Sequence, residues 1–399
     1  MKDLLGFGTI FVGSPLSVFR KREALLHHYV PDFLPHRQKE LEMLKGWFEP
    51  VLSEKVNVKV HVYGPIGTGK TVLCNRLGKY LVDEAKRRGV NLKFVNVNLA
   101  YTPKPYYVMS SLMERVVGNP GLGLGPEEML INIVRRICSG DAKLVVALDE
   151  VDTYIMEKRD PKILYMLPRV HELDPHAAGR ISLIYISRSL KWLERLDKVI
   201  LDTLGRVAGV KLEKYGLEEI EDILGFRVEE AFQPAAVSPE IVEFTAQIAY
   251  SCGGIRYALE LLLGAGMTAD SEGSSTVKAD HVRRVHASIP KGVNGAIYPD
   301  QLSIHKQMLL KAVMEGLRSA GTPYLTFKEA YDLYAVECEL QDREAEDRET
   351  IQSYLQDLYS EGYVLLKRRD GEVLVGMEHP FDRLHEALEK VLSKALRCP

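Results

Sequence analysis

The segment Val62–Thr71, VYGPIGTGKT, constrains the fold more than any other stretch of this chain. Gly64, Gly69, Lys70 and Thr71 stand at the spacing of a phosphate-holding loop, GxxxxGKT. Such a loop belongs between a β-strand and a helix, because its backbone N–H groups must converge on an anion at a helix N-terminus. The flanks comply. Lys59–Tyr63 is β-prone, and Thr71–Ala85 places Leu73, Leu77 and Leu81 on one helical face. Further β-prone runs at Leu92–Val97, Leu144–Leu148 and Ile181–Ile186 alternate with helical stretches such as Glu127–Ile137. This alternation predicts an α/β unit, a parallel sheet with helices on both faces. A plain glycine turn is the bland reading of the loop, and the strand and helix around it speak against that reading.

The residue types explain the chemistry expected here. Glycines let backbone N–H groups close around phosphates, so Gly64, Pro65, Ile66, Gly67, Thr68, Gly69, Lys70, Thr71 and Val72 form the candidate cradle. Lys70 would neutralise β- and γ-phosphate oxygens, and Thr71 would be a ligand of Mg2+. Leu144–Glu150, LVVALDE, is an apolar strand that ends in two carboxylates, which places Asp149 and Glu150 at the carboxyl edge of the sheet. Asp149 would hold the metal through water, and Glu150 would polarise an attacking water. Acidic pairs after strands also serve as helix caps, but the loop upstream favours the catalytic reading. A glutamate able to act as base in cis argues for ATP hydrolysis over a kinase or a GTPase. Arg188 follows the next strand, near the expected γ-phosphate, and Arg256 opens a later helix; for each, a solvated arginine is the alternative.

Beyond about Gly205 the pattern becomes helical only: Leu217–Ala231, Pro239–Ser251, Gly254–Gly264 and Ala279–Ser288. Residues 290–295, PKGVNG, read as a linker, and a third region begins near Tyr298. There Ser303–Leu317, Phe327–Glu337 and Glu349–Glu361 read as helices. Tyr363–Lys367 and Glu372–Gly376 read as a hairpin turning at Asp370–Gly371. Three helices and a two-stranded wing is the order of a winged helix, although a small packing domain with no ligand has the same order. The expected domains are 1–205, 206–290 and 296–399.

Composition sets limits. A chain of 399 residues exceeds one ordinary core, and a net charge of -3 excludes a globally basic nucleic-acid binder. Cys74, Cys138, Cys252, Cys338 and Cys398 lack metal or disulfide spacing, which suggests a reducing interior. No apolar run approaches a bilayer span, and Met1–Arg22 carries no signal-peptide pattern, so no membrane association is expected and a cytoplasmic location is.

Together these residues resemble the archaeal replication initiators related to the eukaryotic origin-recognition-complex and cell-division-cycle loader ATPases, members of the AAA+ class. Besides the two nucleotide motifs, the resemblance rests on Tyr29-Val30-Pro31-Asp32, Leu34-Pro35-His36-Arg37, Leu196-Asp197 and Leu204-Gly205. Tyr215, Glu218-Glu219, Ile223-Leu224, Arg227, the run Gly254–Leu262 and Leu302–Leu310 continue it over nearly the whole length. It implies an AAA+ core, a helical lid and a C-terminal winged helix on double-stranded origin DNA, in the cytoplasmic nucleoid. Sister initiator proteins and the replicative helicase are the implied partners, and ATP or ADP with Mg2+ the implied cofactors. Pro35, His36, Arg37 and Tyr215 would line the adenine and ribose pocket, and Arg256 would be the lid's nucleotide sensor. Residues around Thr102–Gly125 fall where such initiators insert an extra helical element that also touches DNA. Two positions depart from the family. Arg188 stands where a polar first sensor such as asparagine is usual, and Val199 occupies the place of the trans-acting arginine, with only Arg195, Lys198 and Arg206 close by. A missing arginine of this kind lowers hydrolysis by several powers of ten.

Residues 291–399 hold 14 Lys and Arg against 19 Asp and Glu, an awkward balance for a phosphate binder. The candidate DNA contacts are therefore local. Lys367, Arg368 and Arg369 lie on the hairpin. On the third helix Ile351, Leu355 and Leu358 should pack inward, which turns Thr350, Gln352, Ser353 and Gln356 outward beside Glu349 and Asp357. A signalling ATPase whose winged helix makes protein contacts remains the second reading. A remodelling chaperone fits less well, since neither a second ATPase cassette nor an aromatic-glycine pore loop is present.

Overall fold

The computed structural model describes residues 17–102, 104–157, 159–205, 207–289 and 299–395. The expected linker at 290–295, Tyr298, Cys398 and Arg206 lie outside the described residues. The chain divides into two compact units, His28–Glu219 and the described parts of Met1–His27 with Ile220–Pro399.

The first unit runs α1 (Gln38–Ser53), β1 (Lys59–Tyr63), α2 (Lys70–Arg87), β2 (Leu92–Asn98), α3 (Pro105–Val117), α4 (Pro126–Ser139) and β3 (Lys143–Asp149). The short helices α5 (Val151–Met156), α6 (Lys162–Met166) and α7 (Val170–Leu173) follow, then β4 (Ile181–Ser187), α8 (Lys198–Leu204) and β5 (Ala208–Lys211). The strands form one parallel sheet in the order β2-β3-β4-β1-β5. Its central strands are apolar on both faces because both are covered. On one face Val60, Val62, Val145, Ala147, Ile184 and Ile186 pack with Leu44 and Phe48 of α1 and Leu73, Leu77 and Leu81 of α2. On the other, Val95, Val97, Leu144, Val146 and Leu148 meet α3 through Val108 and Leu112 and α4 through Met129 and Ile133. The extra helical element expected around Thr102–Gly125 is α3.

Two expected boundaries move. The sheet gains β5, which pairs with β1 from Val60↔Ala208 to Tyr63↔Lys211, so the unit extends past Gly205 to Glu219. This edge strand buries only Val210 of its four residues and contains Gly209, so the sequence carries no strand periodicity there. Residues 17–27, expected with the core, join the second unit instead. Phe19 stacks on Phe232 at 4.8 Å, the backbone N–H of Val18 donates to Asp270 at 2.7 Å, and those of Arg20 and Lys21 donate to the carbonyl of Ala231.

The second unit contains the helical lid, α9 (Leu217–Ala231, inside the unit from Ile220), α10 (Pro239–Cys252), α11 (Gly254–Ser271) and α12 (Ala279–Ser288). The winged helix follows as α13 (Ile304–Ala320), β6 (Tyr324–Thr326), α14 (Phe327–Leu340), α15 (Arg348–Ser360), β7 (Leu365–Arg369), β8 (Glu372–Gly376) and α16 (Phe381–Ala395). β7 and β8 form the wing expected at Asp370–Gly371, where both residues have positive φ, 51° and 83°, as a two-residue hairpin turn of this hand requires. β6 adds a third strand beside β8, and α16 was not foreseen.

Lid and winged helix are joined by a buried cation. Arg283 of α12 donates to the carbonyl of Met377 at 2.8 Å and to those of Thr322 and Pro323 at 3.4 Å, with its guanidinium 5.0 Å from the Phe244 ring centre and 4.4 Å from that of Phe381. Burial lowers its pKa to about 10, so it stays charged at neutral pH. Gln247 spans the same joint, donating to the Leu366 carbonyl and accepting from the Tyr324 hydroxyl.

Two outcomes test this packing. Arg283→Ala strands three carbonyls and should reduce unfolding free energy by about 3 kcal/mol or more in denaturant titration; a loss under about 1 kcal/mol would mean that the joint does not depend on it. His61 on β1 lies against Tyr185 and Trp192 with no partner for Nδ1, and burial lowers its pKa from 6.5 to about 4. The unfolded chain therefore takes up the proton first. This contribution to stability is complete above pH 6.5 and falls by up to about 3 kcal/mol as pH drops through 4. His61→Phe should flatten that part of the stability profile, and an unchanged acid limb would refute the assignment.

Candidate nucleotide and nucleic-acid site

The parallel register brings the ends of β1, β3 and β4 to one edge: Tyr63 stands beside Ser187 and Leu148 beside Tyr185. From that edge emerge the glycine loop, the Asp149–Glu150 pair and Arg188. In the loop, Gly67 and Gly69 adopt left-handed φ of 81° and 84°, and a Cβ on Gly69 would stand 3.0 Å from the Tyr215 hydroxyl. Only glycine meets both demands. Gly69 caps α2, whose 18 residues open with backbone N–H groups that have no partner within the helix, an anion site by construction. Thr68 is buried and its hydroxyl donates to the Pro65 carbonyl at 2.9 Å, while Ile66 is exposed at the loop tip. Val72 is half-buried in the first turn of α2.

Lys70 Nζ donates to the carbonyls of Gly64 and Pro65 at 2.7 and 2.8 Å. Burial lowers its pKa, and the nearby carboxylates of Glu150, Asp149 and Asp152 oppose that shift. Thr71 Oγ1 donates to Asp149 Oδ2 at 2.6 Å, and the Glu150 N–H donates to the other Asp149 oxygen at 2.9 Å. Burial pushes the Asp149 pKa up, and the Thr71 hydroxyl pulls it back. A threonine hydroxyl and one carboxylate in contact are the small oxygen set with which proteins hold Mg2+ alongside phosphates. The donor set, the glycine cradle and Lys70 thus fit a magnesium nucleotide.

Arg37, expected to line the base pocket, ties the glycine loop to the segment after β5. It is 6% exposed and its donors engage Thr68 O at 3.3 Å and Glu213 O at 2.6 Å, with the guanidinium 4.1 Å over the Tyr215 ring. It clasps the glycine loop to the segment after β5 and holds Tyr215 against the loop. Pro35 and His36 are half-buried next to it; His36 has a φ of 59°, with Nδ1 3.7 Å from Glu219. Arg256 is exposed in the first turn of α11, in the other compact unit.

Two residues that sequence reasoning passed over complete the edge. Asp152 Oδ2 accepts the Arg188 N–H at 3.0 Å, and the Thr153 hydroxyl donates to Glu150 Oε2 at 2.9 Å. Their only sequence signal is position, in the turn that follows Glu150. Arg188 itself pairs with Glu150 Oε2 at 3.2 Å.

On the winged helix, Ile351, Leu355 and Leu358 are buried as expected, Gln352, Ser353 and Gln356 are exposed, and Thr350 is half-buried. Asp357 is neutralised by Lys306 at 2.8 Å. Arg368 and Arg369 are exposed on the wing, but Lys367 is not a free cation. Its ammonium lies 3.3 Å from Glu221 and 2.9 Å from Glu243 of the lid. Gln352, Gln356, Leu366 and Arg368 line a cleft between α15 and the wing.

Residues 60–193 match the family model of an AAA domain, residues 221–287 that of the Cdc6 AAA+ ATPase-type lid domain, and residues 300–374 that of the CDC6 C-terminal winged helix domain. An ORC1-type DNA replication protein 1 of Aeropyrum pernix is 33% identical over 321 residues, 79% of this chain and 80% of the relative. The fold is similar to the crystal structure of Cdc6p from Pyrobaculum aerophilum, with TM-score 0.80 and 23% identity over 96% of this chain and 100% of that one. It is also similar to the structure of the Aeropyrum pernix ORC1 protein in complex with DNA, with TM-score 0.61 and 30% identity over 94% and 97% of the two chains. With matches to an AAA domain, a Cdc6-type lid and a CDC6 winged helix in one chain, and an ORC1-type relative 33% identical over 79% of it, the chain belongs to the ORC1/Cdc6-type family of AAA+ replication initiators.

Proposed function

We propose that this chain marks replication origins by binding double-stranded DNA, that the nucleotide on its AAA+ unit switches that state, and that it helps load the replicative helicase. The observation that carries this reading is the edge at which Lys70, Thr71, Asp149 and Glu150 converge in a chain that also presents an exposed polar helix face beside Arg368. In the proposed division the ATP-binding core runs from His28 through β5, the lid ends near 290, and the winged helix occupies 296–399. The DNA complex of the Aeropyrum pernix relative supports DNA as the ligand. Sister initiators are the proposed protein partners, in the nucleoid-containing cytoplasm; among the described residues no helix is long and apolar enough to cross a membrane.

Within the nucleotide site, Lys70 and the N–H groups of the glycine loop bind phosphate, and Thr71 and Asp149 hold Mg2+. Mg2+ held there would supply positive charge at the phosphate oxygens. Glu150 accepts a proton from water, and Arg256 reports nucleotide to the lid. Hydrolysis is slow in this proposal. Val199, exposed, stands where the family resemblance implies a trans-acting arginine, and Arg188 pairs with the base. On DNA, Gln352, Ser353, Gln356 and Thr350 reach base edges or phosphates, Arg368 and Arg369 meet phosphate, and the exposed Tyr101 and Tyr107 flanking the start of α3 add a second contact.

Lys70→Ala should weaken binding of labelled ADP by at least about a hundredfold while leaving the denaturation midpoint in place; wild-type affinity in this variant would refute the loop assignment. Arg368→Ala/Arg369→Ala should reduce the slope of log affinity against log salt for origin duplex by about 2, whereas Lys367→Ala leaves the slope unchanged. A slope altered by Lys367 and not by the arginine pair would reverse the wing reading. An initiator also enriches a few discrete genomic segments in pull-down sequencing at physiological salt; uniform recovery would point to a signalling ATPase.

A further inference from the structure

The basic residues of the hairpin divide in two. Arg368 and Arg369 are exposed, whereas the Lys367 ammonium lies between Glu221 of α9, at 3.3 Å, and Glu243 of α10, at 2.9 Å. The side chains of Lys367, Glu221 and Glu243 are 18%, 22% and 20% exposed, so water screens their attraction less than that of a pair on the open surface. One turn further along α10, Gln247 donates to the carbonyl of Leu366, so the lid holds the backbone of β7 beside the lysine as well. Yet the stem of Lys367 lines the same cleft as Gln352, Gln356 and Arg368, the cleft offered to DNA.

We propose that Glu221 and Glu243 restrain DNA binding by occupying Lys367, standing where a phosphate of the duplex backbone would otherwise be its partner. This rests on the DNA reading given above. An ammonium is a point charge with three donors, and carboxylate and phosphate oxygens are interchangeable partners for it. A backbone phosphate brings one negative charge, while the lid brings two at hydrogen-bond distance, so the lid keeps the lysine as long as both carboxylates are ionised. A duplex then meets the exposed arginines of the wing but not its lysine. Because the contact withheld is to the backbone, the restraint lowers affinity for every sequence alike. It shortens the stay on each of the many competing sites that an origin-seeking protein has to leave.

If the lid and the duplex compete for Lys367, removing the charge of the two glutamates must strengthen DNA binding, and must do so through the lysine. Affinity for a labelled duplex of mixed sequence would be measured by fluorescence anisotropy over a salt series, using the full chain as wild type, Glu221→Gln/Glu243→Gln, Lys367→Ala and the triple variant. The paired glutamine variant is expected to bind about three- to tenfold more tightly at low salt and to steepen the slope of log affinity against log salt by about 1, the increment of one further phosphate contact. The steepening and most of the gain should vanish once Lys367→Ala is added. A gain of the same size without the lysine would mean that the glutamates act only as distant charge, and no gain in either background would mean that the lysine is not withheld from DNA; both overturn the restraint. A damaged joint weakens binding, so a gain separates the restraint from a structural role. Wild-type affinity left unchanged by Arg368→Ala/Arg369→Ala would instead remove the wing reading on which the restraint rests.

Discussion

The constraint on which the site depends is the register of parallel strands at one sheet edge. Because Tyr63 pairs with Ser187, and Asn98 with Asp149, the chain leaves β1, β3 and β4 at the same level and delivers glycines, carboxylates and arginine to one place. Side chains alternate along a strand, so slipping β3 by one residue would send Asp149 to the opposite face and break its 2.6 Å contact with Thr71. The alternating apolar faces of β3 and β4 forbid that slip, since it would exchange the two hydrophobic layers on either side of the sheet. Core packing and phosphate chemistry are in this sense specified by the same residues.

What could be read from the sequence follows the strength of its periodic signals. The glycine loop, the apolar strand into Asp149–Glu150, the limits of α9 and α12, and the Asp370–Gly371 turn all carry strong local patterns, and the structure has them where those patterns place them. β5 and the attachment of residues 17–27 do not, because each is fixed by distant partners, β1 in one case and Phe232 with Asp270 in the other. The candidate site divides in the same way. Loop and carboxylates were legible because their chemistry is local in sequence. The roles of Arg37, Asp152 and Lys367 were not, because each depends on which carbonyl or carboxylate the fold sets opposite it.

The winged helix shows why a charge count misleads. Its acidic excess suggested repulsion from DNA, yet Asp357 beside the outward helix face is neutralised by Lys306 and buried Glu337 by Lys311. Pairing also reaches the cations, since Lys367, expected as a DNA contact, is engaged by Glu221 and Glu243. These pairs leave the domain's acidic excess as it is but quench the carboxylate beside the outward helix face, and in the proposed DNA complex base-edge hydrogen bonding by Gln352 and Gln356 would carry a larger share than the wing sequence suggests.

The contacts that pair Lys367 with carboxylates of the lid also give it mechanical meaning. Its bonds to Glu221 on α9 and Glu243 on α10, with Arg283 buried between Phe244 and Phe381, fasten the wing to the lid at two separate points. Two anchored points on one rigid hairpin resist rotation where one would allow it. The helix that carries Arg256 and the strand that carries Arg368 are then parts of a single body, so any movement imposed on the lid displaces the wing as well. The slow hydrolysis proposed above would suit such a body, because in that proposal the position of the wing on DNA has to outlast the encounter that reads it.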